Sequence, residues 1–132
     1  MADNFSSFER EVAELLEVMG YEVRRDVLLA GKQIDILGEF LAPGGISVRI
    51  LVECKYTTQN TIPNEDVYEV GHLFNAIRTA TSVNEALLVS NAPFTRFAKE
   101  AAASTGIIVL TYDELVQRVA DFKPYLRSTI DE

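Results

Sequence analysis

An almost continuously apolar segment, residues 46–54, constrains the fold of this chain more than any other feature. Pro43-Gly44-Gly45 marks a turn just before it. A strand that is apolar along its whole length has to be covered on both faces, as strands are when helices pack on each side of a sheet. The segment therefore predicts a buried strand between two layers of helices.

The rest of the chain supplies the elements around this strand. Alternating residues at 21–29 and apolar residues at 34–37, joined by a turn at 30–32, predict two earlier strands, so that the three strands form a meander. Helical spacing predicts helices at 8–19, 64–80, 92–103 and 112–119, with Ser6 and Ser7 as candidate caps of the first helix, and short strands at 86–89 and 107–110. The order α-β-β-β-α-β-α-β-α predicts an α/β fold with one mixed sheet and helices on both faces.

Size and composition indicate one domain. A chain of 132 residues with 48% hydrophobic content can bury one core, and we expect a domain at 1–122 and a loosely held tail at 123–132. The single cysteine, Cys54, cannot form an internal disulfide, and no signal-like N-terminal run is present, so a cytoplasmic location is predicted. Charges interrupt every apolar stretch well before the roughly 20 residues of a membrane helix, so no membrane association is expected.

The net charge of −8 argues against tight DNA binding by this chain alone, since phosphate contacts rely on clustered Lys and Arg. The charge is uneven, however, with an early basic group and a later acidic group. The basic group comprises Arg24, Arg25 and Lys32, and the acidic group comprises Glu65, Asp66 and Glu69. A carboxylate site for a divalent cation would account for part of the acidity.

The chemistry of the chain is concentrated at the end of the apolar strand. Side chains alternate along a strand, so Glu53 and Lys55 share one side while Cys54 points to the other. Charges at the end of such a strand are costly unless they serve each other or an external group. Asp35, in a strand expected to pair with this one, is well placed to join them, and two converging carboxylates are typical of a Mg²⁺ site. Lys55 could then orient or deprotonate the attacking water, or neutralise charge on phosphorus.

These residues carry a resemblance to a known family. Gln33-Ile34-Asp35-Ile36-Leu37, a turn and Val52-Glu53-Cys54-Lys55 resemble the core of PD-(D/E)xK nucleases, particularly the Mrr-like restriction endonucleases. Phe8-Glu9 and Gly106-Ile107 extend the resemblance over roughly residues 8–115. The chain departs from the pattern at the motif's proline, where Ile34 stands, and at a glutamine beyond the lysine, for which Tyr56 and Gln59 are only nearby candidates.

The resemblance implies a restriction-endonuclease-like core that hydrolyses DNA phosphodiester bonds and leaves a 5′-phosphate. Asp35 and Glu53 would bind Mg²⁺, for which Mn²⁺ could substitute, together with the backbone carbonyl of Cys54, and the side chain of Glu9 is a candidate further ligand. Lys55 would be catalytic. Restriction or genome defence is the expected setting, and a junction-resolving or repair nuclease, or a noncatalytic DNA- or protein-binding module, are the alternatives. An accessory DNA-binding domain or subunit, and a homodimer through the helix at 64–80, are the expected partners besides DNA.

Simpler explanations exist for the same residues. Glu53 and Lys55 could be an ordinary salt pair at a strand end, and Glu9 could only complement its helix dipole, although it shares the inward face of Val12. Cys54 is expected to be a core residue without nucleophilic chemistry, and His72 to be structural or exposed. The presence of Asp35, Glu53 and Lys55 together favours catalysis over a noncatalytic module.

Overall fold

The computed structural model describes the backbone of residues 4–131 and the side chains of residues 4–121. Its helices and strands follow one another in the predicted order. They are α1 (Asn4–Val18), β1 (Glu22–Leu29), β2 (Lys32–Ala42), β3 (Ile46–Lys55), α2 (Asn64–Arg78), β4 (Glu85–Ser90), α3 (Arg96–Thr105), β5 (Ile108–Thr111) and α4 (Tyr112–Asp131). No helix within this part of the chain is long and apolar enough to cross a lipid bilayer.

The strands form one mixed sheet in the order β1-β2-β3-β4-β5. The first three pair antiparallel as the predicted meander, and β3 pairs parallel with β4, which pairs parallel with β5. The apolar strand β3 therefore lies in the centre, hydrogen-bonded on both sides. The predicted fold class is confirmed.

Two hydrophobic cores lie on opposite faces of the sheet. The α2–α3 core packs Phe74 and Ala98 against Leu51, while the α1–α4 core packs Leu16 and other residues against Val52. Leu51 and Val52 are neighbours in β3 and are fully buried on opposite faces. The middle of the central strand, residues 50–52, is therefore buried and apolar on both faces, and Glu53 and Lys55 follow it at the C-terminal end.

The strands β1 and β2 change face halfway along. Residues two apart in a regular strand face the same side, yet Ile34 belongs to the α2–α3 core and Ile36 to the α1–α4 core. Arg25 pairs with Ile36 and Val27 with Ile34, so the change falls between the two pairs, at Asp26 and Asp35. Asp26 adopts a left-handed backbone conformation, φ 53°, which Asp tolerates better than most residues. This irregularity places both aspartates at the point where β1 and β2 change face.

Some predicted helix boundaries were wrong. The first helix begins at Asn4, so Ser6 and Ser7 lie inside it instead of capping it. The third helix begins at Arg96 and not at 92–93, because Phe94 forms a bridge with Ile62 and Thr95 supplies the cap by accepting a hydrogen bond from the Ala98 amide.

The last helix is also longer than predicted, since its backbone continues to Asp131. The side chains of the predicted tail, residues 123–132, lie outside the part of the chain that is described. The division into one domain at 1–122 and a loosely held tail stays a prediction.

Candidate active site

Asp35 and Glu53 meet where β2 and β3 run side by side, one residue beyond the Ile36–Val52 pair. The Asp35 amide donates to Glu53 Oε1 over 3.3 Å, and the Cys54 amide donates to Asp35 Oδ2 over 2.8 Å. Each carboxyl is thus tied to the backbone of the other's strand. The sequence analysis expected these two carboxylates to converge, and the structure brings them together.

The environment of Glu53 disfavours its charged form. Burial raises its pKa to about 9, and the hydrogen bond and negative charge of the neighbouring Asp35 carboxyl act in the same direction. Without a cation, this environment therefore favours the protonated form of the Glu53 carboxyl. A divalent cation between the two carboxyls would reverse this preference, because opposite charge favours the ionised form.

Glu9 enters the same region from α1. Its side chain is only 2% exposed, which agrees with the inward face predicted for it, and Arg25 Nε lies 3.0 Å from its Oε1. Arg25 also donates to the Ser6 carbonyl over 3.2 Å, so it ties β1 to the start of α1. Burial raises the pKa of Glu9, the hydrogen bond from Arg25 lowers it, and the charge of Asp35 raises it again.

A third carboxylate, Asp26, completes an acidic cluster that the sequence analysis did not find. Carboxylate oxygens of Glu9, Asp26 and Asp35 all lie within 4.8 Å of one another. The sequence signal for Asp26 is its position inside a strand, where aspartate is disfavoured. Oxygen ligands from several carboxylates are what Mg²⁺ and similar hard cations prefer, so the donor set fits a divalent cation. Glu53 adjoins this cluster through Asp35.

Lys55 lies on the α2 side of the site. A cavity of 490 Å³ is lined by Glu53, Cys54 and Lys55 of β3, and by Gln33, Asp66 and others. Lys55 Nζ is 3.8 Å from Asp66 Oδ2, in the first turn of α2. Phe5 also lines the cavity, because α1 starts one turn earlier than predicted.

Cys54 is buried, with 7% exposure, in the α1–α4 core, as expected of a core residue. It is not remote from the acids, however: burial raises the pKa of its thiol, and the charges of Asp35 and Glu9 raise it further. Thiolate chemistry is therefore disfavoured. His72 is exposed on α2, in agreement with its expected role.

The loop after Lys55 is fixed to the end of β4. The Thr57 amide donates to Asn91 Oδ1 over 2.9 Å, and Asn91 Nδ2 donates to the Thr57 carbonyl over 2.8 Å. The Gln59 amide in turn donates to Thr57 Oγ1 over 3.0 Å. Asn91 thereby sets the path of the backbone that leaves β3, and the sequence analysis did not identify this role.

Both the sequence and the fold of this chain match known proteins. The family model Mrr_cat, described as restriction endonuclease, matches residues 4–119. No curated protein matches the chain. Among solved structures, the chain is similar to the protein of unknown function AF1548, with a TM-score of 0.74 and 22% identity over 92% of this chain and 67% of that one.

Two further solved structures are similar in fold. A repair endonuclease from Pyrococcus abyssi has a TM-score of 0.63 and 15% identity over 84% of this chain and 47% of its own. EndoMS in complex with double-stranded DNA has a TM-score of 0.62 and 17% identity over 84% of this chain and 45% of its own. The chain thus spans less than half the length of these two proteins. At these identities the likeness shows a shared restriction-endonuclease-like fold.

Proposed function

Because the chain belongs to the restriction endonuclease family, whose members cleave DNA, we propose that it hydrolyses DNA phosphodiester bonds with the help of a divalent cation. Mg²⁺ is the proposed cation, and Mn²⁺ its substitute. Asp35 and Glu53 would hold it, and Lys55 would act on the reacting phosphate. These roles follow the resemblance of the sequence motif, and the geometry supports them.

The close approach of Asp35 and Glu53 carries the proposal. Two carboxyls within one hydrogen-bonded pair of strands, one of them with its pKa raised to about 9, are an unfavourable arrangement in the absence of a cation. Folded proteins keep such arrangements mainly at functional sites. Lys55 follows two residues after Glu53 and lines the same cavity, so a positive group stands beside the proposed cation position.

Further oxygen ligands are available around the pair. Glu9 and Asp26 lie within 4.8 Å of the Asp35 carboxylate, and the Cys54 carbonyl is the additional ligand that the family motif implies. Among the described residues, the Arg25 ion pair uses Oε1 of Glu9, so Oε2 is available as a ligand. This set offers more carboxylates than the one or two that Mg²⁺ usually takes from a protein.

The residues of the chain divide the reaction between them. A bound cation supplies a polarised phosphate and an acidified water. Asp35 is kept in one orientation by the Cys54 amide, over 2.8 Å, which limits the motion of the carboxylate during the reaction. Lys55 stabilises the charge that develops on the phosphate or holds the attacking water. The cavity between β3 and α2 gives the scissile phosphate its access.

The acidity of the chain bears on how DNA is held. With a net charge of −8, we propose that an accessory DNA-binding domain or subunit provides most of the affinity, and that the nuclease acts in restriction or genome defence. A homodimer through the exposed side of α2 is a further proposal, and the cytoplasmic location stays a prediction. Sedimentation at micromolar concentration, with and without DNA, tests the dimer, and a monomer in both would contradict it.

Cleavage assays test the main proposal. Supercoiled, linear and branched DNA are incubated at low salt with Mg²⁺, Mn²⁺ or EDTA, using wild type, Asp35→Asn, Lys55→Met and the exposed control Glu100→Gln. We expect wild type and the control to cut only with a cation, and both site variants to lose at least about a hundredfold in rate. Calorimetry is expected to show lost Mn²⁺ binding in Asp35→Asn and retained binding in Lys55→Met.

The outcomes separate the alternatives. Preference for branched DNA would favour a junction-resolving or repair nuclease over a restriction enzyme. A folded wild type that binds Mn²⁺ without cutting any DNA would favour the noncatalytic module. Equal cutting by wild type and Asp35→Asn would refute the assignment of the site.

A further inference from the structure

The ammonium of Lys55 is paired across the cavity with a carboxylate of α2. Lys55 ends β3, and Asp66 lies in the first turn of α2, with 3.8 Å between Nζ and Oδ2. The Asp66 side chain is 23% exposed and that of Lys55 is 45% exposed. Among the described residues, no other carboxylate lies within ion-pair distance of this ammonium.

The position of the pair matters because Lys55 has other acids within reach of its flexible stem. Glu53 projects from the same face of β3, and its neighbour Asp35 leads on to the cluster with Glu9. An ammonium that turned toward these carboxyl groups would compete with a divalent cation for their oxygens. Beside Asp66, on the opposite wall, the ammonium leaves those oxygens to the cation.

We infer that Asp66 is a positioning residue, which holds Lys55 against the α2 wall of the cavity so that it does not compete with the cation for Glu53. The inference rests on the proposed function and adds to it a residue that lies outside the sequence motif. Asp66 is paired with Lys55 and does not belong to the carboxylate cluster found among the described residues, so it acts through Lys55.

The pair is suited to this role because it is weak. Partly exposed ion pairs change a population by about fivefold at most. A phosphate in the cavity can therefore draw the ammonium away from Asp66 without a large cost, whereas a fully buried pair would hold it fixed. The ammonium is kept near its working position and remains mobile.

The helix offers a simpler explanation for Asp66 and also a matched control. An acidic residue in a first turn complements the helix dipole, whatever its contacts. Glu69 lines the same cavity from the same helix, and the structure gives it no ion pair with Lys55. Glu69→Gln removes the same charge from the same wall, so it reports the general effect of charge without the positioning effect.

The test is a double-mutant cycle. Asp66→Asn, Asp66→Glu and Glu69→Gln are made in the wild-type chain and in Lys55→Met, and Mn²⁺ affinity is measured by calorimetry beside single-turnover cleavage of DNA. We expect Asp66→Asn to weaken Mn²⁺ binding and slow cleavage about threefold to fivefold more than Glu69→Gln does. Asp66→Glu is expected to restore both, and the Mn²⁺ difference is expected to vanish in Lys55→Met.

Two results would overturn the inference about Asp66 without affecting the proposed function. One is equal Mn²⁺ affinity and cleavage in Asp66→Asn and Glu69→Gln, and the other is an effect of Asp66→Asn on Mn²⁺ that persists undiminished in Lys55→Met. In both cases, cutting by wild type and its loss in Asp35→Asn would leave the proposed function intact. A folded wild type that neither binds Mn²⁺ nor cuts would overturn the proposed function and this inference with it.

Discussion

Replacement of Glu53 by Gln is expected to make the metal-free protein more stable at neutral pH. Burial first, and then the Asp35 carboxyl, raise the pKa of Glu53 from 4.5 to about 9. A carboxyl with a higher pKa in the folded state binds more protons there, so the free energy of unfolding falls as pH rises between these two values. Glu53 therefore contributes its full stability below about pH 4.5 and has lost it above about pH 9. Gln resembles the protonated carboxyl and does not titrate.

The size of the effect follows from the shift. One pKa unit corresponds to about 1.4 kcal/mol, so the interval from the ordinary pKa to neutrality corresponds to about 3 kcal/mol as a ceiling. Neighbouring carboxyls titrate together, and Glu53 is only partly buried, so we expect about 1 to 2 kcal/mol at pH 7. At about pH 4.5 the wild type and Glu53→Gln are expected to be nearly equal in stability.

Urea unfolding in EDTA over a series of pH values measures this difference directly. Glu100→Gln, on the exposed surface of α3, serves as the control and is expected to follow the wild type. Added Mn²⁺ is expected to stabilise the wild type much more than Glu53→Gln, because a ligand stabilises only the state that binds it. A difference between wild type and Glu53→Gln that stays constant from about pH 5 to about pH 8 would refute the reasoning.

Two predictions concern α3, the first its packing against α2 and the second its N-terminal cap. A Cβ at Gly71 would lie 2.7 Å from Thr105 Cβ, so Gly71→Ala is expected to destabilise the protein by about 1 kcal/mol net, since overpacking outweighs the gain of about 1 kcal/mol in helix propensity. Urea unfolding tests it, and a more stable variant would contradict it. Thr95 accepts a hydrogen bond from the Ala98 amide, so Thr95→Ala is expected to cost about 1 kcal/mol, whereas Thr95→Ser keeps the cap. Equal stability of the Ala and Ser variants in the same assay would show that the cap is unimportant.

The fold could be predicted because local and global preferences agree along most of the chain. The apolar run of β3 required cover on both faces, and the change from alternating to helical spacing after Pro63 predicted the parallel half of the sheet. The start of α3 was mispredicted because a tertiary contact determines it. The Ile62–Phe94 bridge and its hydrogen bonds fix residues 93–95 beside Ile62, and no periodicity within that segment reveals its partner.

The candidate site was only partly predictable from the sequence. Asp35 and Glu53 could be brought together on paper, because a meander makes their strands neighbours. The approach of Asp26 to this pair could not be predicted. It depends on the left-handed backbone conformation of Asp26 itself, at which β1 changes face. The pairing of Lys55 with Asp66 depends on how α2 lies against the sheet, and sequence spacing does not determine that.

The central place of β3 has a consequence for the way the domain opens. Edge strands, loops and chain ends exchange their amide hydrogens through small local fluctuations, whereas strands paired on both sides often exchange only when the whole domain unfolds. β3 is paired on both sides as far as Val52; beyond it Glu53 and Lys55 stay paired with β4, and the Cys54 amide is bonded to the Asp35 carboxylate. We therefore expect the Cys54 amide to exchange slowly, so that the arrangement of Asp35 and Glu53 is lost only when the domain unfolds.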